Sequence, residues 1–167
     1  LMTRPDLLND ESKDLWAEVG DFVFGGDLAL GNLEFAVNDD WFILKPIRFS
    51  VPRTWATPLL GDERFGYFDY LSLANNHIND TFRAGITGAC DLLDERGVHH
   101  SGANRTAEEQ DEFPIVDVKG LRVALLAYTF STNAVPLDDD MPWGVNVIRF
   151  NAFRDEDFDD SLIRRHI

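Results

Sequence analysis

Residues 69–80 read Asp69-Tyr-Leu-Ser-Leu-Ala-Asn75-Asn76-His77-Ile-Asn79-Asp80, and the reading of this stretch decides the fold. Apolar side chains from Tyr70 to Ala74 stop at a cluster of polar ones, and a helical pattern starts directly afterwards. A buried strand of an α/β sheet delivers functional groups at its carboxyl end in this way, because such sheets open their sites there. Asn75, Asn76, His77 and Asp80 put amide oxygens, an imidazole and a carboxylate side by side. These are the groups of hard-metal and proton-transfer chemistry. The other reading is a strand end whose Asn residues shape turns and whose Asp80 caps the next helix. The residues alone leave both open.

Working outward, Phe82, Ile86, Ala89, Cys90 and Leu93 recur at helical spacing and predict a helix closed by Gly97. Cys90 falls on its apolar side, as a small core residue would, and a single cysteine excludes an intrachain disulfide. Towards the amino end, Asp27 to Glu34 predicts a short buried strand with a second polar end, at Asn32 and Glu34. Before it, Ser12 to Val23 repeats apolar groups as a helix would, with Ser12 as its cap and Gly25-Gly26 as its break. Trp41 to Lys45 reads as a loop or edge segment, Ile47 to Val51 as a strand, and Pro52 to Phe65 as a weak helix ending near Gly61 or Gly66.

Towards the carboxyl end, Val98 to Ser101 predicts a strand and Ala103 to Gln110 a brief helix or turn. Phe113 to Val118, Lys119-Gly120 and Leu121 to Tyr128 predict a hairpin whose second strand is fully buried. That strand ends in Thr129, Ser131, Thr132 and Asn133, again polar. Asp138, Asp139 and Asp140 read as solvated, Val145 to Phe150 as a strand, and Asp155 to His166 as a helix with its acids first and Arg164 and Arg165 last. His99, His100 and His166 have no evident partners and read as surface residues. Alternating strands and helices predict an α/β layered fold.

With 167 residues, 44% of them hydrophobic, the chain is long enough for one domain with a proper core. A net charge of −15 argues against nucleic acid or an anionic membrane surface as partner. The same acidity suits a salt-rich habitat or a cation-binding role and specifies neither. No stretch is apolar for long enough to predict a transmembrane segment, and none reads as a signal peptide.

Two motifs then stand in order: Gly26-Asp27 leading to Asn32-Leu33-Glu34, and Leu71 through Ala74-Asn75-Asn76-His77 to Asp80. Ser101-Gly102-Ala103-Asn104, Ala107-Glu108 and Arg122 to Thr129 follow. In these motifs the chain resembles the CapA-like capsule (poly-γ-glutamate) synthesis proteins, from about Leu15 to Phe150. The resemblance implies a metallophosphatase-like, calcineurin-type fold, a partial four-layer α/β/β/α sandwich. It implies a capsule or poly-γ-glutamate biosynthesis role with a metal-dependent phosphoesterase-like site. The alternative is a non-catalytic binding or assembly component of a polymer synthesis and export complex.

By the same resemblance, Asn76 ligates a divalent metal, Mn or Mg, together with Glu34 and Asn32, while His77 contacts a phosphoryl oxygen or protonates a leaving group. Asp80 orients that imidazole or caps the helix, and Asn75 and Asn79 shape the turn. Implied partners are an anionic polymer or phosphoester substrate and other capsule synthesis and export components, at a membrane-associated or extracytoplasmic location. Two departures stand out. The glycine that the family carries two residues after its Asp is Phe82 here. The family's first metal-ligand Asp and its later His motifs have no counterpart. The expectation is therefore a single domain, 1–167, incomplete at both ends, that by itself binds metal weakly and turns over nothing.

Overall fold

The computed structural model describes residues 15–45, 47–149 and 158–167. In chain order it begins with helix α1 (Gly20–Phe24) and strands β1 (Leu30–Asn32), β2 (Ala36–Val37), β3 (Ile43–Lys45) and β4 (Arg48–Val51). Helix α2 (Arg53–Ala56) runs into a 3-10 turn, Thr57–Leu60, followed by β5 (Gly61–Asp62), β6 (Gly66–Tyr67) and β7 (Tyr70–Ser72). Helix α3 (Phe82–Arg96), β8 (His99–Ser101), the hairpin β9 (Ile115–Val118) and β10 (Leu121–Ala124), and helix α4 (Ser161–His166) complete it. The fold is mixed α/β, as the alternation predicts. Its sheets are small, and among the described residues none exceeds three strands.

The central stretch does form a strand. β7 is the middle of a parallel sheet ordered β1-β7-β8, with Asn32, Ser72 and Ser101 in register. Parallel neighbours on both sides satisfy its main chain and bury Tyr70 and Leu71, and Leu73 and Ala74 stay buried beyond its end. The ladder runs past the strand ends: Leu33 N donates to Ser72 O and Leu73 N to Ser101 O, each at 3.0 Å. The three carboxyl ends therefore open on one edge. β1 departs from the expectation of a buried strand, since Leu30 is 52% exposed. Among the described residues it pairs only with β7, so it is an edge, and burial in this segment passes to Ala29, Leu33 and Phe35.

α3 follows the predicted spacing. Ile86, Ala89, Cys90, Leu92 and Leu93 are buried, and Gly97, in the left-handed region at φ 67°, ends the helix. Burial pushes the Cys90 thiol up to about 12, so it is inert packing. The buried face lies on β2 and β8, joining the parallel sheet to a second one ordered β2-β4-β3. One core cluster runs through both, from Leu33 and Val37 to Leu73, Ile86 and Leu93.

At the start of α3, Phe82 stands where the resemblance implies glycine, and its φ is +55°. The turn is kept and a side chain is forced into the left-handed region, which costs an L-residue about 1–2 kcal/mol. Phe82→Gly relieves that strain, whereas Phe82→Ala loses the same half-buried ring without relief. Thermal unfolding is expected to find the Gly variant the more stable of the two, by about 1 kcal/mol. The usual helix ranking, in which Ala wins, would contradict it.

Other expectations shift for identifiable reasons. The first helix is shorter than expected, with turns from Leu15 to Val19 and helix only from Gly20; Ser12 lies outside the described residues, as do Phe150 and Asp155. The Lys119-Gly120 turn is present with φ of +52° and +85°, the two positive values that a tight hairpin turn needs. Its second strand is not buried: Leu121 is 71% exposed because, among the described residues, β9 and β10 pair only with each other, and burial begins at Leu125 and Ala127. Val145 to Arg149 forms isolated bridges rather than a strand. Asp138 and Asp140 pair with Arg83 at 3.9 and 2.5 Å across an exposed surface.

Two of the three histidines read as surface residues are enclosed. The His166 side chain is 3% exposed and its Nδ1 lies 2.7 Å from Tyr128 Oη. His100 places Nε2 3.0 Å from Asp94 Oδ1, and burial pushes its pKa below the ordinary value. His99 is exposed, as expected.

Candidate functional site

The polar cluster after β7 folds as an interlocked set of side-chain bonds rather than a plain turn. Asn75 Nδ2 donates to Leu33 O at 2.8 Å and to Asn32 Oδ1 at 3.2 Å, tying the end of β7 to the end of β1. Asn75 Oδ1 accepts from the main-chain N–H of His77 at 3.0 Å, fixing where the imidazole leaves the chain. Asn75 thus joins two strands, which goes beyond shaping a turn.

His77 and Asp80 come together. His77 Nδ1 lies 2.7 Å from Asp80 Oδ2, with the Asp80 side chain fully buried and the His77 side chain 9% exposed. A carboxylate oxygen only accepts, so the shared proton sits on Nδ1 and Nε2 is left for chemistry. The same Oδ2 accepts from Phe49 N–H of β4 at 2.5 Å. No side chain caps α3, whose N-cap is Thr81, so the helix-cap reading of Asp80 is set aside. The other oxygen, Oδ1, is buried and has no hydrogen-bond partner among the described residues. Holding such an oxygen away from water is costly, and its cost is offset by the two bonds to Oδ2.

Two side chains flank the imidazole that the sequence reading did not single out for the site. The Phe49 ring packs 4.4 Å from it, tilted by 53°. Asn133 Nδ2 lies 3.4 and 3.5 Å from the two ring nitrogens. The Asn133 loop is held in an uncommon shape, with Asn133 at φ +52° and Ala134 at +60°. Asn79 holds it there: its Nδ2 donates to Val135 O at 3.2 Å and Pro136 O at 3.0 Å. Asn79 therefore clamps a distant loop, again more than a turn. The signal for Asn133 was present, as the polar end of the 121–128 run; nothing local in the sequence links it to His77.

His77 and Asn133 line a concavity of about 550 Å³ together with Arg48, Asn76, Ile47 and Val135. Asn76 is half-buried there, beside His77. A family model described as bacterial capsule synthesis protein PGA_cap matches residues 4–160. The chain belongs to this family. No individual curated protein matches it. As a member of the capsule synthesis family, the chain carries both resemblance motifs inside the matched span, and the fold brings their ends to neighbouring parallel strands.

The residues implied as metal ligands are divided by the fold. Asn32 closes β1, with Oδ1 already accepting from Asn75, and Glu34 is exposed two residues further on. Asn76 lines the His77 concavity, which Asn32 and Glu34 do not line. Among the described residues no group of three or more His, Cys, Asp or Glu side chains is placed to hold a metal. Two amide oxygens and one carboxylate fit a hard cation such as Mg or Mn by donor chemistry, and they are a partial set.

Proposed function

We propose that the end of β7 is a phosphoesterase-like site serving capsule synthesis, on a metallophosphatase-like fold, with an anionic capsule polymer such as poly-γ-glutamate or its phosphoester precursor as substrate class. The carrying observation is the buried 2.7 Å His77–Asp80 pair, whose His77 lines a concavity together with Arg48, Asn76 and Asn133. Asp80 holds the proton on Nδ1, so Nε2 is the ring atom available to a leaving oxygen or a phosphoryl oxygen. Phe49 and Asn133 keep the ring in that orientation. A divalent cation held at Asn76, the one implied ligand that lines the His77 concavity, would supply charge neutralisation at the phosphoryl group.

A second reading has its own support. A site whose described residues supply one carboxylate and two amides suits a component that binds polymer without hydrolysing it, within a synthesis and export assembly. Mn²⁺ binding, compared between this chain and an Asn76→Ala, His77→Ala double variant, separates the two.

A further inference from the structure

Three arginines among the described residues are half-buried: Arg48, Arg53 and Arg105. Arg53 lies 2.6 Å from Glu95, and Arg105 lies within 2.9 Å of each of Asp91, Asp94 and Glu109. Arg48 has no carboxylate within ion-pair distance among the described residues, in a chain with 30 acidic side chains. Half-burying a guanidinium with no carboxylate beside it among the described residues costs free energy, so its place calls for an explanation.

Its neighbourhood sharpens the point. In the β3–β4 ladder Arg48 stands directly opposite Lys45. Like charges in opposed positions repel across a sheet. Lys45 also has no acidic partner among the described residues. Arg48 lines two adjoining concavities, the one holding His77 and a second of about 490 Å³ that includes Lys45, Trp41 and Phe42. Two cations thus stand side by side on the β3–β4 pair, with Arg48 lining the His77 concavity and Lys45 the adjoining one, in a molecule of net charge −15. Such a molecule repels anions at long range, so an anionic group reaching this site requires a cation at the point of contact.

We propose that Arg48, backed by Lys45, is the residue that recognises the substrate's oxyanion, a phosphate or carboxylate group, with the Asn133 amide as second donor. A guanidinium presents paired N–H groups that match two oxygens of either anion, and a Lys in its place offers a point charge alone. This inference rests on the strand end being the substrate site and assigns the side chain that selects substrate there.

The test is calorimetric titration of the chain, without divalent metal and at low salt, with inorganic phosphate and separately with glutarate. Arg48→Gln is expected to weaken binding about tenfold or more, and Arg48→Lys by less. Lys45→Gln, at an exposed position that leaves folding alone, is expected to weaken it a few-fold. Arg122→Gln, also exposed, is the control and should change nothing. Binding of phosphate over glutarate points to a phosphoester, and the reverse to a carboxylate polymer. Unchanged affinity in Arg48→Gln, or no binding of either probe by the parent chain, overturns the inference. If Arg48→Gln loses the anion while Mn²⁺ binding is indifferent to Asn76 and His77, anion recognition stands and the metal-dependent reading falls. The opposite pair of results removes Arg48 and keeps the metal site.

Discussion

Asp80→Ala is expected to lower the unfolding free energy by about 2–4 kcal/mol, a large loss for one polar residue. A single oxygen of Asp80 accepts from Phe49 N–H at 2.5 Å and from His77 Nδ1 at 2.7 Å. Removing it strands a main-chain donor and a ring donor away from water, each worth about 1–3 kcal/mol. Release of the unpartnered Oδ1 from burial offsets part of this. Asp80→Asn keeps an acceptor of the same shape and should lose no more than about 1 kcal/mol. The two variants then separate scaffold from chemistry. Asn offers the ring a neutral acceptor in place of a carboxylate, so under the proposed phosphoesterase reading phosphodiester turnover is expected to fall by a factor of about 10²–10⁴ in Asp80→Asn. Urea denaturation reads the first effect and steady-state assay the second. An Asp80→Ala variant as stable as the parent would mean that this carboxylate does not join β4 to the strand end.

Gly88→Ala is expected to destabilise by about 3 kcal/mol, although alanine is the better helix former by about 1 kcal/mol. A Cβ at Gly88 would sit 2.1 Å from Val37 O, a main-chain atom of β2 that cannot rotate away. One turn earlier, a Cβ at Gly85 would meet Thr81 Oγ1 at 2.3 Å and Ala36 Cβ at 2.7 Å. The helix therefore lies on β2 along a strip without side chains, and this contact ties the parallel sheet to the β2-β4-β3 sheet that carries Arg48 and Phe49. Wedging it apart should also loosen the Phe49–Asp80 bond. A thermal midpoint equal to or above the parent's would show that the helix is free to move off β2.

The parts of the fold legible in the sequence are those with a local signature. The β7–α3–β8 unit announces itself through an apolar run, a helical repeat and Gly97, and the Lys119-Gly120 turn through its residue types. Asn32 and Asn75 were legible as polar strand ends, and parallel pairing makes them neighbours. What was not legible depends on long-range contacts. The Phe49–Asp80 and Asn79–Val135 bonds join segments with no shared periodicity, so Arg48, Phe49 and Asn133 gave no sign of lying beside His77. The exposure of β10 also escaped the pattern, because an apolar run shows that a strand is favoured and does not show what covers it. His166 read as a surface residue for the same reason: Tyr128 and Phe113, which enclose it, are distant in sequence.

The most direct measurement is Mn²⁺ titration by calorimetry of the chain and of the Asn76→Ala, His77→Ala double variant, each checked for folding by circular dichroism. A strand-end centre predicts saturable binding by the parent chain that disappears in the variant. Identical isotherms, whether both proteins bind or neither does, would contradict a metal-assisted site built on Asn76 and His77.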